Sequence, residues 1–256
     1  VKTVEEATNK IDVIVHEAAI TSVPRSVRCP KLTMDVNVSG TLNLLKLGLE
    51  RDIKRFVFAS SCAVYGEAEE LPIPETAKPK PSSPYASTKL SGESSCLKFL
   101  GKGLDTVCLR YFNVYGPRQG MGEYAGVILR FLDRLKDAQR PVIYGDGEQT
   151  RDFVHVNDVV KATISAIKSE DAVGEVINIG TGEATTINKL CSVLLKITKN
   201  QSLKPIYKDA RAGDVRHSQA DITKAKEILD YTPDISLKKG LKDLQGQIKN
   251  HAENKN

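Results

Sequence analysis

Four short apolar runs rich in β-branched residues constrain this chain more than any other feature: IDVIVH (11 to 16), RFVFASS (55 to 61), TVCLR (106 to 110) and VINIG (176 to 180). Strands that are apolar at nearly every position have both faces covered, as in the middle of a parallel sheet. Between the runs lie segments with helical apolar spacing, such as MDVNVSGTLNLLKLGLERD (34 to 52). The alternation predicts an α/β fold built on a mostly parallel, helix-covered sheet. Sheets of this kind take ligands beyond the carboxyl ends of their strands. Three polar clusters fall at those ends: His16-Glu17-Ala18-Ala19, Ser60-Ser61 and Tyr111-Phe112-Asn113.

After Asn113 the elements become shorter and Gly and Pro more frequent. The spacing predicts helices over 125–136, from Asn157 or Asp158 to 167, over 186–198 and over 222–229. It predicts short strands over 142–144 and 153–156 and an extended piece over 203–207. A second, smaller α/β unit is therefore expected from residues 116–139 and about 181–248. The main unit is expected over 1–115 and about 140–180, and residues 249–256 as a flexible polar tail.

Composition narrows the function. The formal charge of +5 is small beside 37 basic and 32 acidic residues, and the basic ones are scattered. With no Trp and few aromatic residues, nothing suggests a stacking platform for a nucleic-acid polymer, while a modest positive excess suits an anionic small molecule. Five cysteines with no CxxC pair indicate neither a disulfide framework nor a thiolate zinc site, and a cytoplasmic setting is expected. The four histidines show no HxH or HExxH spacing, so no metal is expected. No apolar run approaches about 18 residues, so no membrane association is expected either.

The stretch SSPYASTKLSGE (82 to 93) bears most directly on chemistry. Ser83 suits a helix cap and Pro84 a first turn, which puts Tyr85 and Lys89 one turn apart on one face. Such a pair is either the amphipathic edge of a surface helix or a reactive pair. In the second case the ammonium favours the phenolate, bringing a phenol pKa of about 10 towards general-base range. Spacing alone does not separate the two.

The motifs FASSCAVYG, YASTK, LRYFNVYGPRQ, RDFVHVNDV and RAGDVRHSQAD, in this order, resemble the extended short-chain dehydrogenase/reductase family, specifically its sugar-nucleotide epimerases of the UDP-glucose 4-epimerase type. The resemblance runs from about Ile11 to Pro233. It implies a Rossmann domain with a smaller substrate domain, a resident NAD, a UDP-sugar substrate, and a homodimer joined by a helix bundle that includes the Tyr-Lys helix. It implies that Tyr85 takes the proton of the sugar 4-hydroxyl, that Lys89 lowers the phenol pKa and bonds the nicotinamide ribose, and that Ser61 bonds the reacting oxygen. Ala18, Ala19, Asn37, Ser60 and Phe112 fall where that family contacts the cofactor. Asn113, Arg151, Arg211, Asp214 and Ser218 fall where it contacts the nucleotide sugar.

Related dehydratases carry an Asp-Glu pair directly after the catalytic Ser or Thr, where this chain has Cys62 and Ala63, which argues against dehydration; the lack of Glu there also lowers a decarboxylase reading. What remains is reversible oxidation at C4 of a UDP-hexose, with the small Ser218 leaving room for a 2-N-acetyl group. A uronate epimerase, a reductase and a noncatalytic nucleotide-sugar sensor are the alternatives. The family also has a first strand, a glycine-rich loop, a second strand and an acidic ribose ligand, about 50 to 65 residues judged by the length of a βαβ unit. The chain from Val1 onward lacks them, and Gly145-Asp146-Gly147 and Gly180-Thr181-Gly182 read as turns. Its opening, VKTVEEATNK, suggests a start inside a longer protein. A protein truly beginning at Val1 is expected to bind NAD weakly and fold poorly.

Overall fold

The computed structural model describes residues 2–120, 122, 125–211 and 213–253. Its strands are β1 (Val13–His16), β2 (Arg55–Ser61), β3 (Thr106–Tyr111), β4 (Asn113–Tyr115), β5 (Val142–Tyr144), β6 (Thr150–Arg151), β7 (Phe153–His155), β8 (Val176–Ile179), β9 (Thr185–Thr186) and β10 (Ile206–Lys208). The four runs that dominate the sequence form one parallel sheet in the order β1-β2-β3-β8. β2 is buried along nearly its whole length, as its unbroken apolar run predicts. β1 differs: it lies at the sheet edge and leaves Val15 39% exposed.

Helices cover the sheet on both faces. On one, Gly40–Glu50 and Pro84–Leu100 enclose a core containing Ile14, Leu45, Phe56, Phe58, Cys96 and Phe99. On the other, Val156–Lys168 and Thr223–Leu229 pack over Val57, Val107, Leu109, Ile177 and Ile179. A second core, around Phe131, Leu132, Ile143, Leu190, Leu194 and Leu241, joins the helices Val127–Lys136, Ile187–Ile197 and Leu237–Glu253.

This partition shifts the expected bounds. β5 pairs with β10, and Ile143 lies in the second core, so residues 142–144 side with the smaller unit. The Thr223–Leu229 helix and Tyr231 return to the main sheet because Ala225 and Leu229 complete its core. Of the expected tail, 249–253 continue the last helix and 254–256 lie outside the described residues.

Candidate active site

The parallel register brings Ser61 of β2 level with Tyr111 of β3, while β1 ends three residues earlier, with His16 beside Phe58, so all three strands end towards the same side of the sheet. Beside this end the Pro84–Leu100 helix begins as its sequence predicts. The Ser83 hydroxyl accepts from the Ala86 N–H at 3.2 Å, and Pro84 occupies the first turn. Tyr85 and Lys89 then face β2. Ser61 Oγ accepts from the Ala63 N–H at 3.2 Å, which leaves its own proton uncommitted, and Ser61 is near enough to the Tyr85 phenol to oppose the rise of its pKa. The Ser61, Tyr85 and Lys89 side chains are thus assembled.

One expectation is corrected. Lys89 is only 4% exposed, its Nζ donates to the Ala59 carbonyl at 2.7 Å, and it stands 6.0 Å from the centre of the Tyr85 ring. The phenol is not lowered: burial pushes it up to about 12, and the Ser61 hydrogen bond is what opposes the rise. Burial also brings the Lys89 ammonium down to about 8. A cation that is itself poorly solvated and turned to a carbonyl does little for a buried phenol.

The small residues after β1 suit a large planar ligand: Ala18 is exposed and Ala19 half-buried, with no side chain beyond Cβ in the way. Lys89 uses one of its three donors on Ala59, so two remain. These features fit the nicotinamide and ribose end of a dinucleotide. Three other expected cofactor contacts are engaged by protein. Ser60 is buried and donates to Glu93 Oε1. Phe112 is 5% exposed and packs with Tyr65, Ile73 and Ile222, because the chain after β3 turns its ring into a core. Asn37 lies in a π-helical turn, Asp35–Ser39, and its amide bonds Ile20 N and O at 2.8 and 3.1 Å and Thr88 Oγ1 at 3.0 Å. It shapes the exit from β1 and offers no free donor.

The residues expected to hold the nucleotide converge on a separate cavity of about 230 Å³ bordered by Asn113, Arg151, Arg211 and Asp214. Arg151 is paired with Asp214, and the Arg211 guanidinium stacks 3.8 Å over the Tyr144 ring. Among the described residues Asn113 Oδ1 and Gln149 Oε1 are buried without a protein partner, and both residues border the cavity. Orphaned buried acceptors call for an explanation, and a ligand bearing hydroxyl or N–H donors supplies one. Tyr144 and Gln149 escaped the sequence reading; an aromatic residue next to the Gly145-Asp146-Gly147 turn was the available signal. Gly145 and Gly147 do sit in turns, at φ of 78° and 80°.

Ser218 joins the two regions. It is buried near the Cys62 thiol, immediately after Ser61, and both Ser218 and Arg151 act to lower that thiol's pKa. Burial raises that thiol to about 11, so it stays protonated and unreactive at neutral pH. Among the described residues no group of three His, Cys, Asp or Glu side chains is placed to hold a metal. Among them also, no helix is long and apolar enough to cross a membrane.

Residues 2–180 match the model of the NAD dependent epimerase/dehydratase family. The chain belongs to that family. A putative UDP-glucose 4-epimerase of Methanocaldococcus jannaschii is 41% identical over 244 residues, covering 94% of this chain and 78% of the relative. The crystal structure of UDP-glucose 4-epimerase from Thermotoga maritima with UDP-glucose superposes with a TM-score of 0.94 at 40% identity, over 98% of this chain and 82% of that one. UDP-N-acetylglucosamine 4-epimerase from Methanobrevibacter ruminantium, in complex with UDP-N-acetylmuramic acid, gives a TM-score of 0.92 at 37% identity, over 97% and 80%. The α/β fold with a parallel sheet, expected from the four strand runs, is that of these epimerases.

Proposed function

We propose that the protein is an NAD-dependent epimerase inverting C4 of a UDP-hexose, with UDP-glucose and UDP-galactose and their 2-N-acetyl forms as substrates. The observation that carries this reading is the assembly of Ser61, Tyr85 and Lys89 at the sheet end, next to a cavity with cationic walls and orphaned acceptors. NAD, when bound, would supply a reversible hydride acceptor for C4 of the sugar. Ala18, Ala19, Tyr85 and Lys89 are the residues here that would hold its nicotinamide end.

Tyr85 Oη takes the proton of the 4-hydroxyl and later returns it; because the hydride removed from C4 would also be returned, net redox is zero. Ser61 supports the same oxygen, its proton left free by the bond it accepts from Ala63. Arg151 and Arg211 suit the diphosphate, since a planar guanidinium gives paired charge-assisted donors, and Asp214 can accept from ribose hydroxyls. Anchoring the nucleotide leaves the 4-keto sugar free to turn and present its opposite face.

Tyr85→Phe decides this reading. We expect kcat to fall about 100-fold or more with UDP-sugar binding retained. Unchanged turnover in that variant removes Tyr85 from the mechanism. Product analysis with UDP-glucose and UDP-N-acetylglucosamine tests the sugar, and an epimerase accumulates no NADH.

A homodimer forms part of the proposal. Leu32, Val36 and Leu97, on the adjacent helices Pro30–Met34, Asp35–Ser39 and Pro84–Leu100, are exposed apolar residues suited to a helix-bundle contact. Analytical ultracentrifugation should give twice the chain mass, and Leu97→Glu should reduce it to one.

A further inference from the structure

Lys89 and Tyr85 are not the only residues of their helix to reach β2. Glu93 lies one turn beyond Lys89 on the same face and is 3% exposed. Its carboxylate accepts from Ser60 Oγ through Oε1, from Arg110 Nε at 2.9 Å, and from a terminal Arg110 nitrogen through Oε2 at 2.8 Å. Two successive residues at the end of β2 are therefore gripped by one helix face, Ala59 by Lys89 and Ser60 by Glu93. Ser61 follows directly and is near the Tyr85 phenol.

The grip continues across the sheet. Ser60 is in register with Arg110 on β3, and Arg110 with Asn178 on β8. Arg110 stacks 4.7 Å from the centre of the Tyr65 ring, and the Tyr65 hydroxyl donates to Asn178 Oδ1 at 2.7 Å. Tyr65 ends the 3-10 turn that Ser61 caps, so the same network reaches Ser61 from its other side.

We propose that Glu93, through its buried bonds to Ser60 and Arg110, is a positioning residue that sets the distance between Ser61 and the Tyr85–Lys89 pair. The proposal rests on the reading of those three as the reacting set. Glu93 touches no reacting atom. It holds the helix and the strand end in one geometry, and small misplacements of reacting groups are known to cost turnover heavily, up to about 100-fold for 1 Å.

The test uses Glu93→Gln and Ser60→Ala in the NAD-loaded enzyme. Ser60→Ala removes the link to β2 while leaving the buried Glu93–Arg110 pair whole, so it decides the matter if Glu93→Gln fails to fold. Both are expected to lower kcat by about tenfold or more with KM for the UDP-sugar unchanged. They are also expected to raise the Tyr85 phenol pKa, read by NMR of ¹³C-labelled tyrosine in the enzyme without added substrate. Wild-type kcat and phenol titration in Ser60→Ala overturn the proposal, as does an effect confined to thermal stability or to KM. Tyr85→Phe separates the two levels: full turnover there removes the functional reading, whereas an inactive Tyr85→Phe beside an unaffected Ser60→Ala removes the positioning role alone.

Discussion

Ser218 is buried near the Cys62 thiol, one residue along from Ser61, and in the proposed function its size sets the room for the sugar ring on that side. Ser218→Tyr would fill the space a 2-N-acetyl group needs. The expected outcome is a fall in kcat/KM for UDP-N-acetylglucosamine at least about tenfold greater than for UDP-glucose, measured side by side. At this scale the sequence was readable where chemistry is local. Tyr85 and Lys89 share a face because one helix spaces them, and Ser61 ends a strand whose apolar run is plain. It was unreadable where a side chain chooses between a cleft and a partner far along the chain. Ser60 bonds Glu93 and Asn37 bonds Ile20 and Thr88 only because of how the helices dock. Arg211 finds Tyr144 through a loop whose path no periodicity records.

The Pro84–Leu100 helix comes unusually near β2, and Gly92 is the reason. A Cβ there would lie 2.3 Å from Phe58 Cζ, and Phe58 is fully buried, with nowhere to retreat. Gly92→Ala is expected to destabilise the fold by roughly 1–3 kcal/mol through overpacking. It should lower kcat as well, because the helix moves with its reactive face; urea denaturation and steady-state kinetics on one preparation check both. The start of this helix was legible from Ser83 and Pro84, since capping is a short-range matter. The helix Leu237–Glu253 was not foreseen: Gly240 and Gly246 interrupt it, and its stability comes from setting Leu241 and Leu244 in the second core. Gly240 in turn lets the helix pass close to Tyr115, where a Cβ would meet the hydroxyl at 2.3 Å.

The molecule as a whole should be acid-sensitive in a defined window. Burial, with a smaller contribution from Lys89, holds the His16 imidazole at about 4, below its ordinary 6.5. The unfolded chain therefore takes up this proton first on acidification. The stability tied to neutral His16 is complete above about pH 6.5 and is lost as pH falls towards 4, by about 3 kcal/mol. Urea midpoints at pH 7, 5 and 4 should trace that loss, and His16→Gln should flatten it. The overall architecture was legible because four short apolar strand runs separated by helical segments leave few arrangements open. The division between units was not, because β5 pairs with the distant β10 and the Thr223–Leu229 helix packs back onto the core of the main sheet.

The turn between Tyr144 and Gln149, both of which border the proposed nucleotide cavity, is fastened differently from the proposed reacting groups. Arg216 grips the Asp146 turn in an exposed ion pair, which solvent screens strongly, while β3 and the Pro84–Leu100 helix are interlocked by the buried Arg110–Glu93 pair. Substrate preference can thus drift in evolution, or be redesigned in the laboratory, by redrawing the enclosure while the proton-handling apparatus stays in calibration.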